Sequence, residues 1–327
     1  MQSRRAIILG AAAGLAASAS GARAQGFPDR PVRIVVAFPP GGNADFTARL
    51  LLPAMSRSLG QPVVVDNRPG AGGIVGTEAV ARAQPDGYTL LLGSTGPISL
   101  FPVARSSMPY DSLRDLAPVG IAYRVPIALL VGRQVQARTP QELVALSQNT
   151  RGGLSAGSSG IGSGAHLAIE LFNHGSGAGV VHVPYRGTGP AYNDLIAGTI
   201  PMLFDQLSTA LPVHQDGRAR ILAIASASRS PLLPEVPTLR EAGLVEPELS
   251  TTLGLLAPAG TPAPVIAKLR SALAAAMGDA TVRDRLSGLG AEIPSDAQLT
   301  PERYAEVIRE EMESSRQAVR LGNISLD

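Results

Sequence analysis

The residues with chemical potential fall into four strand-to-helix turns rich in glycine, proline, serine and threonine. The first, Phe38-Pro39-Pro40-Gly41-Gly42-Asn43-Ala44-Asp45, joins an apolar β-branched run (Val32 to Phe38) to an amphipathic segment (Phe46 to Leu59). A Gly-rich turn that opens directly into a helix leaves backbone N–H groups unpaired at the positive end of the helix dipole, an arrangement suited to an anion. Gly41 and Gly42 permit close backbone approach, and Asn43 or Asp45 can cap the helix. The same turn is also an ordinary βα connection, and alone it does not separate the two readings. Gly93-Ser94-Thr95-Gly96, Ser155 to Gly164, and Tyr185-Arg186-Gly187-Thr188-Gly189 have the same character. Ligands of doubly wound sheets sit outside the carboxyl ends of strands, so turns of this kind that face one another make a cleft for a small carboxylate, held by neutral dipoles.

Catalytic motifs are missing. Ser159 follows Gly157 but precedes Ile161, and Ser94 precedes Gly96 but follows Leu92, so neither completes a G-x-S-x-G elbow. No phosphate loop occurs, and Gly160-x-Gly162-x-Gly164 lacks the dinucleotide spacing. His166 and Glu170 lie one helical turn apart without an H-E-x-x-H pattern, so no metal and no cofactor is expected, and His166 is read as lining the cleft or bonding a backbone carbonyl. Asp205, after Met202-Leu203-Phe204, reads either as an acceptor for a ligand's amine or hydroxyl or as a helix cap.

These turns must be positioned by alternating elements. Val32 to Phe38, Val63 to Val65, Thr89 to Leu92, Ile127 to Val131, Val180 to Val183, Met202 to Phe204 and Ile221 to Ala225 read as short buried strands between helical patterns. That alternation predicts an α/β fold with largely parallel sheets flanked by helices. Thr139-Pro140-Gln141-Glu142 and Thr300-Pro301-Glu302 read as helix starts, and Val265, Ile266, Leu269, Leu273 and Met277 follow a helical stripe. Composition shifts near Ile121 to Val125 and Ala225 to Pro237 suggest passages between lobes. They predict a first lobe of residues 25–122 plus 228–327 and a second of 123–227.

Arg4 and Arg5, the apolar run from Ala6 to about Ala19, and Ala22-Arg23-Ala24 form an export signal over residues 1–24, by the Sec or the twin-arginine route. Its removal takes three arginines and no acid, turning 28 basic against 26 acidic residues into 25 against 26. With a single lysine, Lys268, and no tryptophan, nothing points to nucleic acid. The absence of cysteine rules out disulfides, a thiolate nucleophile, Cys-ligated zinc and a lipidated cysteine, so a mature chain of this length relies on apolar cores, and the expected compartment is the periplasm.

Six segments in order carry a family resemblance: Pro31 to Val36 with Phe38 to Asp45; Val65 to Gly73; Pro85 to Leu90; Val183 to Gly187; Glu235 to Gly243; and Ala257 to Pro262. In these the chain resembles the substrate-binding proteins of tripartite tricarboxylate transporters (TctC or Bug type). The resemblance implies a two-lobed, type II-like periplasmic-binding-protein fold, with a ligand cleft between the lobes. It implies a monomer without enzymatic activity that captures a dicarboxylate, aromatic acid or amino acid and hands it to membrane permease subunits. A ligand-sensing partner of a sensor kinase would share the cleft, and a secreted hydrolase is the enzymatic alternative. Carried over by position, the first-turn group is Phe38, Pro40, Gly41, Asn43, Ala44 and Asp45. The facing group is Ser158, Ser159, His166, Tyr185, Gly187 and Thr188, with Thr95 and Asp205 at the edges. Where the family commonly has aromatics, this chain has Thr251-Thr252-Leu253, which leaves the ligand class open.

Overall fold

The computed structural model describes residues 26–244 and 249–322, and the export signal expected at residues 1–24 lies outside them. The first βα unit follows from its sequence: β1 (Val32–Val36) is β-branched, and α1 (Asn43–Leu59) buries Ala48, Leu51 and Met55 on one stripe. β2 (Val63–Asn67), α2 (Ile74–Ala81) and β3 (Thr89–Ser94) complete three strands parallel to one another, with β1 between β2 and β3. A helical segment, residues 96–104, follows.

β4 (Leu116–Gly132) is a single 17-residue strand that joins the two halves of the molecule. After it come α3 (Pro140–Gln148), β5 (Ser155–Ser158), α4 (Gly164–Ser176), β6 (Val181–Pro184) and α5 (Thr188–Ala197). β7 (Met202–Gln206), α6 (Leu207–Gln215) and β8 (Ala219–Ile224) close this half. β9 (Ser250–Pro258) returns the chain to the first half, which ends in α7 (Ala263–Gly278), α8 (Ala280–Ser287) and α9 (Pro301–Gly322).

The strand order is β2-β1-β3-β9-β4-β7-β5-β6, with β8 also on β4. β4 pairs antiparallel with β9 from Leu116 to Pro126 and then with β7 and β8 from Ile127 to Gly132. The change of partner at Pro126/Ile127 marks one passage between halves. The other lies at Leu249/Ser250, where Leu249 N–H donates to Ala225 and Ile127 N–H to Leu249. Residues 238–239 pair beside β8 through Ile224. Residues 238–239, which composition assigns to the first lobe of 228–327, thus pair alongside the second sheet. Thr139 caps α3 as its sequence suggests, accepting from Glu142 N–H at 3.2 Å, while the Glu142 carboxylate accepts from Arg138 N–H. None of the described helices is long and apolar enough to cross a membrane.

Candidate functional site

Two helix N-termini open into one cavity of ≈ 280 Å³ between the halves. The first belongs to α1, whose N-cap residue Gly42 offers no side chain to its own amides. Gly41, at φ 85°, turns the chain into the helix in a conformation that favours glycine. Asp45 faces back into the turn: it accepts from Gly41 N–H (2.9 Å), Arg49 Nε (3.0 Å) and Asn67 Nδ2 (3.0 Å). Burial pushes its carboxyl up, but the bonds from Arg49, Gly41 and Asn67 outweigh that and hold it below its usual range. The second terminus is that of α5, entered through Gly187 (φ 100°, ψ 172°) and likewise without a side-chain cap. A Cβ on Gly187 would lie 3.9 Å from Pro39, so the two turns face each other across the cavity. The third helix on the cavity, α4, is different, since Ser163 caps it by accepting from His166 N–H at 3.1 Å.

Asn43 supplies a side-chain donor beside these amides. Its Oδ1 accepts from the Tyr123 hydroxyl (2.8 Å) and the Ser208 hydroxyl (2.9 Å), one from each half, which leaves the buried Nδ2 of this cavity-lining residue without a protein partner. Such an orphan costs stability unless a ligand or water accepts from it. Across from it Asp205, at the end of β7, is 2% exposed and accepts from the Thr209 hydroxyl. Burial pushes its carboxyl up to about 6, moderated by hydrogen bonds led by that of Thr209. Asp205 and the exposed Arg186 are the two charged residues of the lining; the rest is glycine, hydroxyl, amide and apolar surface. The arrangement can hold a small anion on fixed dipoles and take a hydroxyl or amine on Asp205. No residue of the lining pairs a nucleophile with a base; the Ser158 hydroxyl that meets His182 is fully buried behind the wall.

Of the residues singled out from sequence, Phe38, Pro40, Gly41, Asn43 and Ala44 line one side of this cavity, and Ser159, Gly187, Thr188 and Asp205 the other. Five stand behind the wall with other partners. Asp45 braces the first turn as above. Thr95 bonds Glu311 and the Thr252 amide, Ser158 bonds His182 Nε2 at 2.6 Å, and the Tyr185 hydroxyl donates to Asp194 at 2.6 Å. His166 accepts from Gly162 N–H through Nδ1 at 3.1 Å, and so holds the 159–164 loop rather than facing the cavity itself. Arg186, Gln206, Thr251 and Leu253 line the cavity without having been singled out as ligand residues. Arg186 is legible as part of Pro184-Tyr185-Arg186-Gly187, and Thr251 and Leu253 belong to the run Thr251-Thr252-Leu253.

His166, Glu170 and His182 come within reach of a common point. The imidazoles stack at 4.0 Å with 16° between their planes, so their in-plane lone pairs run side by side instead of converging as shared metal ligation requires. Burial and the neighbouring His166 push His182 down to about 4, while the His166 side chain holds Glu170 below its ordinary value.

The chain and its fold have known relatives. Residues 47–322 match the family described as "Tripartite tricarboxylate transporter family receptor" (TctC). A Pseudomonas sp. (strain P51) protein, "UPF0065 protein in tcbD-tcbE intergenic region", is 40% identical over 315 residues, covering 95% of this chain and 92% of the relative. A structure described as a periplasmic transporter superposes with TM-score 0.87 at 37% identity, covering 92% of this chain and 100% of that one. A structure of MatC from Rhodopseudomonas palustris with bound malate gives TM-score 0.85 at 35% identity, covering 90% and 100%.

Proposed function

This chain belongs to the tripartite tricarboxylate transporter receptor family, and from that premise we propose that it captures a small organic carboxylate in the periplasm and delivers it to the family's membrane permease subunits. The observation that carries the reading is the pair of uncapped helix N-termini, at Gly42 and Gly187, facing each other across one cavity. One carboxylate of the ligand lies among the amides of Gly42 to Ala44 and the Asn43 Nδ2, and α5 supplies donors from the opposite side. These donors are fixed before the ligand arrives, so little ordering cost is added on binding. Asp205 faces the part of the ligand that can donate, a hydroxyl, an amine or a protonated carboxyl.

Entry and release need the halves to part. The connections suited to that motion are β4 at Pro126/Ile127 and the chain at Leu249/Ser250, where pairing passes from one half to the other. Because the MatC relative holds malate, four-carbon dicarboxylates head the candidate ligands. The chain acts as a monomer, with no cofactor.

A thermal-shift screen of dicarboxylates, aromatic acids and amino acids, followed by mass spectrometry of ligand retained through native purification, tests the proposal. A dicarboxylate should raise the melting temperature in a saturable way. Absence of stabilisation across the whole panel contradicts it, and a pull-down that retrieves a sensor kinase and no permease redirects the delivery step.

A further inference from the structure

A second cavity, ≈ 310 Å³, lies at the hinge. Like the first it is built from both halves: Thr95, Val307 and Ser314 come from one, Leu167 and Leu249 from the other, with Arg124 and Ser250 on the connecting strands. Ile127 and Gly164 line both cavities, so a shared wall separates them. Neighbouring residues of a strand point to opposite faces, and β4 uses this here. Tyr123 reaches Asn43 beside the first cavity, while Arg124 lines the second.

The charges around this cavity are unequally committed. Glu310 is engaged by Arg303 through both oxygens, at 2.8 and 3.2 Å. Glu311 accepts from the hydroxyls of Thr252, Ser99 and Thr95, and burial pushes its carboxyl up. Arg124 forms no ion pair within 4 Å of a described carboxylate; its charge acts on Glu310 and Glu311 from farther away, and its buried Nε has no hydrogen-bond partner. A buried guanidinium nitrogen left unpaired is costly, and the group that best satisfies a guanidinium is a planar oxyanion. Leu100, Leu167, Leu249 and Val307 supply the apolar part of the lining, beside the hydroxyls of Thr95, Ser250, Ser314 and Ser315.

We propose that the hinge cavity binds a small monocarboxylate with a short apolar tail, its carboxylate on Arg124 and its tail against Leu167, Leu249 and Val307. This site is independent of the carboxylate reading of the first cavity and stands or falls separately from it. Hexanoate is the probe. Its binding to the full chain is followed by calorimetry for the wild type, Arg124→Gln, Ser314→Trp and Thr188→Trp. Arg124→Gln removes the guanidinium, Ser314→Trp fills the cavity from the solvent side of α9, and Thr188→Trp fills the first cavity. Hexanoate affinity should fall at least tenfold in Arg124→Gln and in Ser314→Trp and persist in Thr188→Trp. The proposal is overturned if the wild type does not bind hexanoate, if binding survives both hinge-cavity variants, or if only Thr188→Trp abolishes it.

Discussion

Asp205→Asn should stabilise the protein at neutral pH and change little in acid. The folded chain keeps the Asp205 proton to about pH 6, because burial opposes the charge, whereas the unfolded chain releases it near the ordinary value of 3.8. Between those values the folded state binds more protons than the unfolded state, so stability falls as pH rises. The penalty is absent below the lower value and complete above the upper. A displacement from 3.8 to about 6 corresponds to about 3 kcal/mol. An asparagine of the same shape still accepts from Thr209 but leaves an NH₂ group where the second carboxylate oxygen stood, so about 1–3 kcal/mol of the penalty should be recovered at pH 7.5. Urea unfolding of wild type and variant at pH 4 and pH 7.5 measures it. Titrations elsewhere in the chain cancel in the difference between the two proteins. A gain at pH 7.5 that vanishes at pH 4 is expected. An equal effect at both pH values, or a loss that grows toward neutrality, would mean that Asp205 is held as a stabilised anion and that the desolvation argument is wrong.

Other consequences follow from the same network. Asn43→Ala should weaken carboxylate binding by roughly 10- to 100-fold, from the loss of about 1.5–3 kcal/mol for a hydrogen bond to a charged group, measured by calorimetry. Ser208→Ala, which leaves the Tyr123 bond to Asn43 in place, should cost less. His182 stays neutral in the fold to about pH 4 while an unfolded histidine takes up its proton near 6.5, so stability is lost as pH falls through that window, by up to about 3 kcal/mol. His182→Gln should therefore flatten the acid limb of a melting-temperature profile, and an unchanged limb would exclude it. Glu311→Leu should destabilise by about 2–4 kcal/mol in urea unfolding, because three hydroxyls lose their acceptor, whereas Glu311→Gln should be mild.

The local signals in this chain were strong where one segment determines its own structure. The run from Val32 to Leu59 carries strand, glycine turn and amphipathic helix in succession, and each appears where its pattern places it. β9 and the first half of β4 were not legible. Pro118, Gly120 and Pro126 resemble turn punctuation, but they sit in a long strand whose register shifts at Pro118/Gly120 and Ile121/Tyr123 to accommodate them. In sequence β5 belongs to a glycine–serine turn, because Ser155-Ala156-Gly157-Ser158 has no β-branched residue; its pairing with β6 and β7 makes it a strand. At the site, the turns were visible, but which side chain of each turn meets the cavity was not. Ser158 and Ser159 are chemically equivalent in the sequence. Only the strand ending at Ser158 turns that hydroxyl toward His182 and leaves Ser159 on the cavity wall. Likewise the unpaired Nδ2 of Asn43 depends on Tyr123 and Ser208, which are distant in sequence.

The central claim is that a small carboxylate lies between the helix N-termini at Gly42 and Gly187. Calorimetric titration of ligand-stripped protein with the dicarboxylate that gives the largest thermal shift, in wild type and in Thr188→Trp, tests it most directly. The account predicts one saturable site in the wild type and at least a tenfold loss of affinity in the variant, with the fold retained by circular dichroism. Undiminished binding in Thr188→Trp, or no binding by the wild type, would contradict it.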